Sequence, residues 1–87
     1  MTPWALTWTP EALDDAARRP RDQRERIVRS VERWAFSDHG DIRTVHNLAD
    51  ATHRLRVGDW RVLLALDSAT RTATILRVLP RGSAYKP

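Results

Sequence analysis

Apolar positions along the 87-residue chain follow two rhythms, one helical and one extended. At the start, Trp4, Leu6 and Trp8 alternate with Ala5 and Thr7, the period of a strand with one buried face. Thr9-Pro10-Glu11 then supplies an N-cap residue, a proline suited to the first helical position and an acid in the first turn. The helix it opens carries Leu13, Ala16 and Ala17 as a narrow stripe, and Pro20 predicts its end near Arg18-Arg19. A second helix is predicted over 22–36, because Ile27, Val31, Trp34 and Ala35 fall at i, i+4, i+7 and i+8 on one helical face. Asp22 with Glu25 reads as its capping box. Asp22–Arg26 and Glu25–Arg29 are i, i+4 pairs on its solvent side. A tight turn at Pro20 predicts a helical hairpin.

Residues 37–41 read as a loop, Val45–Leu48 as a short strand or an extended lead-in, and 49–52 as a turn. Alternation resumes in the run from His53 to Leu66, broken by Gly58-Asp59. Glycine first in a two-residue loop suits a type II′ turn between antiparallel strands. Such a loop sets the register: Val57 opposite Trp60, Arg56 opposite Arg61, Leu55 opposite Val62, Arg54 opposite Leu63. Leu55, Val57, Trp60 and Val62 then share one face, and Arg54, Arg56 and Arg61 share the other. A last strand is predicted from Thr72 to Val78. Its register stays open, because the loop at 67–71 lacks glycine and can hold about two to five residues. Pro80 to Pro87 reads as a tail.

The order β-α-α-β-β-β implies one α+β domain over residues 1–87, a small antiparallel sheet with the helical hairpin packed on one face. Trp60, Val62, Leu64 and Leu66 are expected to meet Ile27, Val31 and Trp34. The four tryptophans, Trp4, Trp8, Trp34 and Trp60, are read as core. At this length folding hides only about 60–65% of the unfolded chain's surface, so the core is modest.

Charge changes the picture more than composition does. Fourteen of the fifteen basic residues are arginine, and the net charge of +4 resides entirely in residues 41–87. Like charges directly across a hairpin are unfavourable, so Arg56 opposite Arg61 costs stability unless an anion sits between them. Guanidinium forks suit phosphate. A basic face points to nucleic acid or an acidic protein. The absence of cysteine removes disulfides and thiolate metal sites and suits a reducing, cytoplasmic setting. No signal peptide or membrane-spanning run is read. His39, His46 and His53 recur every seven residues, but they fall in a loop and two strands with nothing to align them, so no metal is expected.

The stretch Arg54-Leu55-Arg56-Val57-Gly58-Asp59-Trp60-Arg61-Val62-Leu63 resembles the core signature of the RelE/ParE superfamily of type II toxins. Ile75-Leu76-Arg77-Val78-Leu79-Pro80-Arg81-Gly82-Ser83-Ala84-Tyr85 resembles that family's closing strand and Arg…Tyr tail. With the element order and the length, the resemblance extends over nearly the whole chain. It implies a toxin partnered with a cognate antitoxin, in a toxin–antitoxin hetero-oligomer. In the RelE branch it also implies a ribosome-dependent endoribonuclease that cleaves mRNA, with no cofactor. Carried over by matching residues, Arg61 is the strand arginine at the scissile phosphate, Arg81 the arginine after the last strand, and Tyr85 the tail tyrosine. Arg54 and Arg56 stand where RelE-type members often place lysines. His46 stands where relatives often have a basic residue.

Metal-free RNA cleavage needs the 2′-hydroxyl deprotonated, the phosphorane's charge stabilised and the leaving 5′-oxygen protonated. Arg56, Arg61 and Arg81 can supply the second requirement, at roughly 3 kcal/mol per fixed donor. They are poor proton carriers, because guanidinium stays protonated. Tyr85, whose ordinary pKa of about 10 falls beside cations, is a candidate base or acid, with His46 as a second candidate. Arg54, Arg56, Arg77 and His46 are candidate RNA or phosphate contacts, although the face of Arg77 is not readable. Two alternatives stay open. One is a ParE-like inhibitor of DNA gyrase acting by protein binding. The other is a catalytically weak member that only binds antitoxin, suggested by Pro80 where relatives commonly carry His or Lys.

Overall fold

The alternating segments at the two ends of the chain become neighbouring strands, Ala5–Trp8 (β1) and Thr72–Pro80 (β5). Between them lie Pro10–Ala17 (α1), Arg21–Ser37 (α2), Asp41–Thr44 (β2), His53–Val57 (β3) and Trp60–Asp67 (β4). This computed structural model describes residues 3–46 and 50–82. The sheet order is β1-β5-β4-β3-β2. Among these residues no helix is long and apolar enough to cross a membrane.

The central hairpin has the predicted register: Val57–Trp60, Arg56–Arg61, Leu55–Val62 and Arg54–Leu63. Gly58 takes φ +58° while Asp59 stays out of the positive region, as a type II′ turn requires. The second hairpin closes through the four residues between Asp67 and Thr72. Asp67 Oδ1 accepts the N–H groups of Ala69 (3.0 Å) and Thr70 (3.4 Å) there, the backbone mimicry expected of an aspartate at a turn.

The α+β architecture agrees with the sequence reading, with two differences. The sheet is mixed, because β1 and β5 are parallel. Strands β2 to β5 each run against their predecessor, so β5 opposes β2, and β1 must oppose it too. The two helices therefore return the chain to the end of the sheet where β1 stopped. The extra strand β2 begins at Asp41, inside the expected loop and ahead of the expected Val45–Leu48 segment. Gly40 permits that early start. A side chain there would begin 2.8 Å from Leu55 Cδ1 and 3.5 Å from Trp34 Cβ.

Helix α2 buries the four residues its periodicity singled out, Ile27, Val31, Trp34 and Ala35. They pack on Leu55, Val57, Val62, Leu64, Ala73, Ile75 and Val78 from the sheet. Trp4 and Trp34 stack with centroids 5.9 Å apart, while Trp8 and Trp60 are only partly buried at the margin. The expected capping box does not form, because Pro20 occupies the N-cap without a side-chain bond and Asp22 lies inside the helix. The i, i+4 pair that forms is Arg21–Glu25, at 3.0 Å.

Helix α1 buries Ala12, Asp15 and Ala16, whereas Leu13, expected in its apolar stripe, is 55% exposed. The sheet edge sets this rotation. Strand β1 ends with Trp8 beside Ile75, and Leu76 is an extra residue between the Leu64–Ile75 and Leu63–Arg77 pairs. Beyond that bulge the outer edge of β5 has lost its strand partner, and unpaired edge groups need another acceptor or donor. The Thr9 hydroxyl donates to the Leu76 carbonyl at 2.9 Å while capping the Ala12 N–H. Asp15 Oδ2 accepts the Val78 N–H at 2.9 Å. The small Ala12 and Ala16 side chains let the helix lie close to that edge.

The same carboxylate accepts two bonds from Arg77, at 2.7 and 3.0 Å. Burial alone would push the Asp15 carboxyl up, but the Arg77 bonds, the Val78 N–H and the charges of Arg77 and Arg18 hold it below its ordinary value. Asp15→Asn is expected to cost about 2 kcal/mol in urea unfolding near neutral pH, the scale of hydrogen bonds to a charged group. A carboxyl lowered on folding contributes stability above its unfolded pKa and loses it as pH falls through the folded value. The gap between wild type and Asp15→Asn should therefore hold constant at neutral pH and close as pH drops below 3.8. A gap that persisted unchanged in acid would show that Asp15 acts by shape and not by charge.

Candidate nucleic-acid interface

Strand alternation lays two rows of side chains across the sheet face that points away from the helices. One row is Asp41–Arg56–Arg61–Leu79 and the other is Arg43–Arg54–Leu63–Arg77. The missed strand β2 contributes Asp41 and Arg43 to this face. Their signal was present in the sequence, since Asp41-Ile42-Arg43-Thr44 alternates and Ile42 packs against the core, but four residues beside a glycine read equally as loop.

Asp41 divides the arginines into two groups. Arg43 Nε lies 3.4 Å and Arg54 Nη1 3.6 Å from Asp41 Oδ1, and Arg54 Nη1 also donates to the Asp41 carbonyl. Arg54 is thereby drawn against the sheet, its side chain only 17% exposed. Arg56, next to Asp41 in register, makes no such pair among the described residues and is exposed. Opposite it, Arg61 is 9% exposed and folds back over the turn. Its Nη1 donates to the carbonyls of Gly58 (2.9 Å) and Trp60 (3.0 Å). Carbonyl dipoles thus take part of the positive charge that would face Arg56.

Arg81 arrives at the same end of the sheet. Pro80 pairs with Trp60, and the Arg81 N–H donates to the Asp59 carbonyl at 2.7 Å. Arg56, Arg61 and Arg81, expected to act together, are gathered around the hairpin tip. Arg77 is not. Expected among the phosphate contacts, it is instead committed to Asp15, whose hydrogen bond raises the Arg77 pKa above its ordinary value. The edge left open by the short β1 draws it there. His46 is exposed beyond the far end of β3, where Thr44 pairs with His53. At five residue rises from the Arg56 row it stands about 16 Å from the tip, so it does not join the three arginines. Tyr85 lies outside the described residues.

The tip thus gathers three arginines, Arg61 held by backbone carbonyls, beside the turn's own Asp59, while Asp41 in the adjoining row is occupied by Arg43 and Arg54. Guanidinium donors of this kind are suited to phosphate and to charge that grows on a phosphoryl group. They carry no proton themselves.

Neither a protein-family model nor a curated protein sequence matches the chain. Solved structures do. The archaeal RelE–RelB complex from Pyrococcus horikoshii OT3 matches with a TM-score of 0.76 at 20% identity, covering 97% of this chain and 100% of that one. The toxin–antitoxin complex RelBE2 from Mycobacterium tuberculosis matches at 29% identity with a TM-score of 0.65, covering 95% and 97%. The isolated E. coli RelE toxin matches at 14% identity with a TM-score of 0.63, covering 92% and 86%. The chain has the fold of the RelE toxins.

Because Arg56 and Arg61 face one another without a carboxylate between them, Arg56→Gln should stabilise the free protein. The gain expected for relieving a like-charge cross-strand pair is about 0.2–1 kcal/mol. Urea unfolding at low ionic strength checks it, and the difference should vanish at about 1 M salt, where the Debye length is about 3 Å. Destabilisation at both ionic strengths would mean that Arg56 is held by contacts and not opposed by charge.

Proposed function

We propose that the chain is the toxin of a type II toxin–antitoxin pair and cleaves mRNA on the ribosome, in the cytoplasm, as a metal-independent endoribonuclease. The observation that carries this reading is the convergence of Arg56, Arg61 and Arg81 on one hairpin tip, in a chain with the RelE fold. In the reaction the 2′-hydroxyl oxygen attacks the adjacent phosphorus and loses its proton. The bond to the 5′-oxygen breaks, and that oxygen takes up a proton. The products are a 2′,3′-cyclic phosphate and a 5′-hydroxyl. Arg56, Arg61 and Arg81 stabilise the charge on the phosphorane between those steps. Arg61 holds the most constrained position, because its bonds to Gly58 and Trp60 restrict the guanidinium before substrate arrives. Tyr85, four residues beyond Arg81, is the titratable side chain assigned to proton transfer.

An antitoxin partner fits both the charge and the relatives. Two of the matched structures are RelE–RelB and RelBE2 complexes. An acidic partner would quench the arginine face. By mass action it would also stabilise this small domain by about 2.7 kcal/mol when present at 100 times its dissociation constant.

The test is cleavage of mRNA by the purified chain with and without programmed ribosomes. Cleavage is expected only on the ribosome. Arg61→Ala should lower the single-turnover rate about 10²–10³-fold, the scale of one oxyanion donor, while costing about 1.5–3 kcal/mol in unfolding, the scale of hydrogen bonds to a charged group. Tyr85→Phe should also impair cleavage with the fold intact. Intact mRNA together with gyrase-dependent DNA breaks would replace this reading with that of a gyrase inhibitor. Intact mRNA with antitoxin binding alone would leave a protein that only binds its partner.

A further inference from the structure

Two more arginines reach the same hairpin tip from the helical side, and neither is used by the open face. Arg19, just past the end of α1, lies over the Trp60 ring with its guanidinium carbon 4.2 Å from the centroid. Its Nε is fully buried and has no hydrogen-bond partner. Arg26, on the second turn of α2, hangs over the turn itself. A side chain at Gly58 would begin 2.9 Å from both Nη1 and Nη2 of Arg26. Gly58 is thus required twice, for its φ of +58° and for the room it leaves a guanidinium.

These positions are not explained by internal neutralisation. Asp22, four residues before Arg26, and Asp59, in the turn, form no ion pair with Arg19 or Arg26 among the described residues. Arg26 makes no hydrogen bond there either. Arg19 and Arg26 thus bring guanidinia to the turn from the helical side, and register and backbone bonding place Arg56, Arg61 and Arg81 beside it, around a two-residue turn whose own acid is Asp59. A collar of like charge costs free energy in the absence of a ligand. A polyanion crossing the tip removes that cost and releases counterions from its own phosphates.

We propose that Arg19 and Arg26 form a second phosphate-binding site on the helical side of the hairpin tip, which grips RNA backbone continuous with that on Arg56, Arg61 and Arg81. RNA is favoured over an acidic peptide because arginines lie on both sides of the tip, and one polyphosphate backbone crossing it satisfies both sides. This site rests on the RNA-cleaving reading, but binding tests it separately from cleavage.

The probe is a 2′-O-methylated RNA oligonucleotide, which cannot be cleaved, titrated with the full-length protein over a range of salt. The double variant Arg19→Gln/Arg26→Gln should reduce the slope of log K against log salt by about 1.4, at 0.7 for each lost phosphate contact to a single strand. Over a fourfold rise in salt, wild type should then lose about sevenfold more affinity than the variant. Arg26→Gln alone removes no hydrogen bond, so it guards against misfolding of the double variant and should reduce the slope by about 0.7. Arg29→Gln, on the outer surface of α2, should leave the slope unchanged. Equal slopes for wild type and Arg26→Gln would overturn the site. So would a loss of antitoxin affinity with the RNA slope intact, which would assign the two arginines to an acidic protein. If wild type shows the full slope yet leaves ribosome-bound mRNA uncut, the nuclease reading falls while the phosphate site stands.

Discussion

A two-residue turn leaves its hairpin no freedom of register, and the candidate site follows from that constraint. With Gly58 at φ +58° and Val57 paired to Trp60, every side chain on β3 and β4 is assigned to a face. A slip by one residue would turn Leu55, Val57 and Val62 out of the core and bring the arginines in. The hydrophobic stripe of α2 therefore selects the register that also sets Arg56 against Arg61. The buried apolar side chains, each stabilising by roughly 1.5–3 kcal/mol, outweigh the like-charge contact of about 1 kcal/mol or less. The fold tolerates the repulsion because the core lies on the other side of the same strands.

How each arginine is held then decides what it can do. Asp41 draws Arg54 and Arg43 to itself, and Asp15 takes Arg77 around the bulged edge of β5. Arg61 is restrained by carbonyl oxygens at the turn, which orient a cation without cancelling its charge. Arg56 and Arg81, placed beside it by register and backbone bonding, form no ion pair among the described residues. The positive potential is thus concentrated at one end of the sheet and reduced elsewhere. A single anionic strand meets its strongest attraction where the proposed chemistry takes place.

Much of this was legible along the chain. Glycine ahead of aspartate specified the turn, the spacing of Ile27, Val31, Trp34 and Ala35 specified the buried face of α2, and Thr9-Pro10 specified the start of α1. Each is a local rule in which neighbouring residues set backbone geometry. The convergence of Arg61 with Arg81 needed one further step, the return of the last strand beside β4. Other features were hidden. Leu13 looked apolar and was assigned inward, yet Asp15 faces the sheet, because an open strand edge wanted an acceptor more than it wanted a leucine. Arg77 could not be given a face, since Leu76 bulges out of the ladder and no local signal marks that step. Asp41 and Arg43 sat in a stretch too short to distinguish a strand from a loop.

The sequence by itself determined the α+β class, the hairpin register and the arginine-bearing face, because periodicity and turn chemistry act over a few residues. Only the tertiary structure decided which arginines remain available. That choice depends on contacts between residues far apart in the chain: Asp15 with Arg77, Arg54 with Asp41, Arg26 with Gly58, and Arg19 with Trp60. A guanidinium reaches several ångströms from its backbone, so its partner is whatever the packed fold brings within reach. No local pattern encodes that partner, and the hairpin tip acquired its collar of positive charge from it.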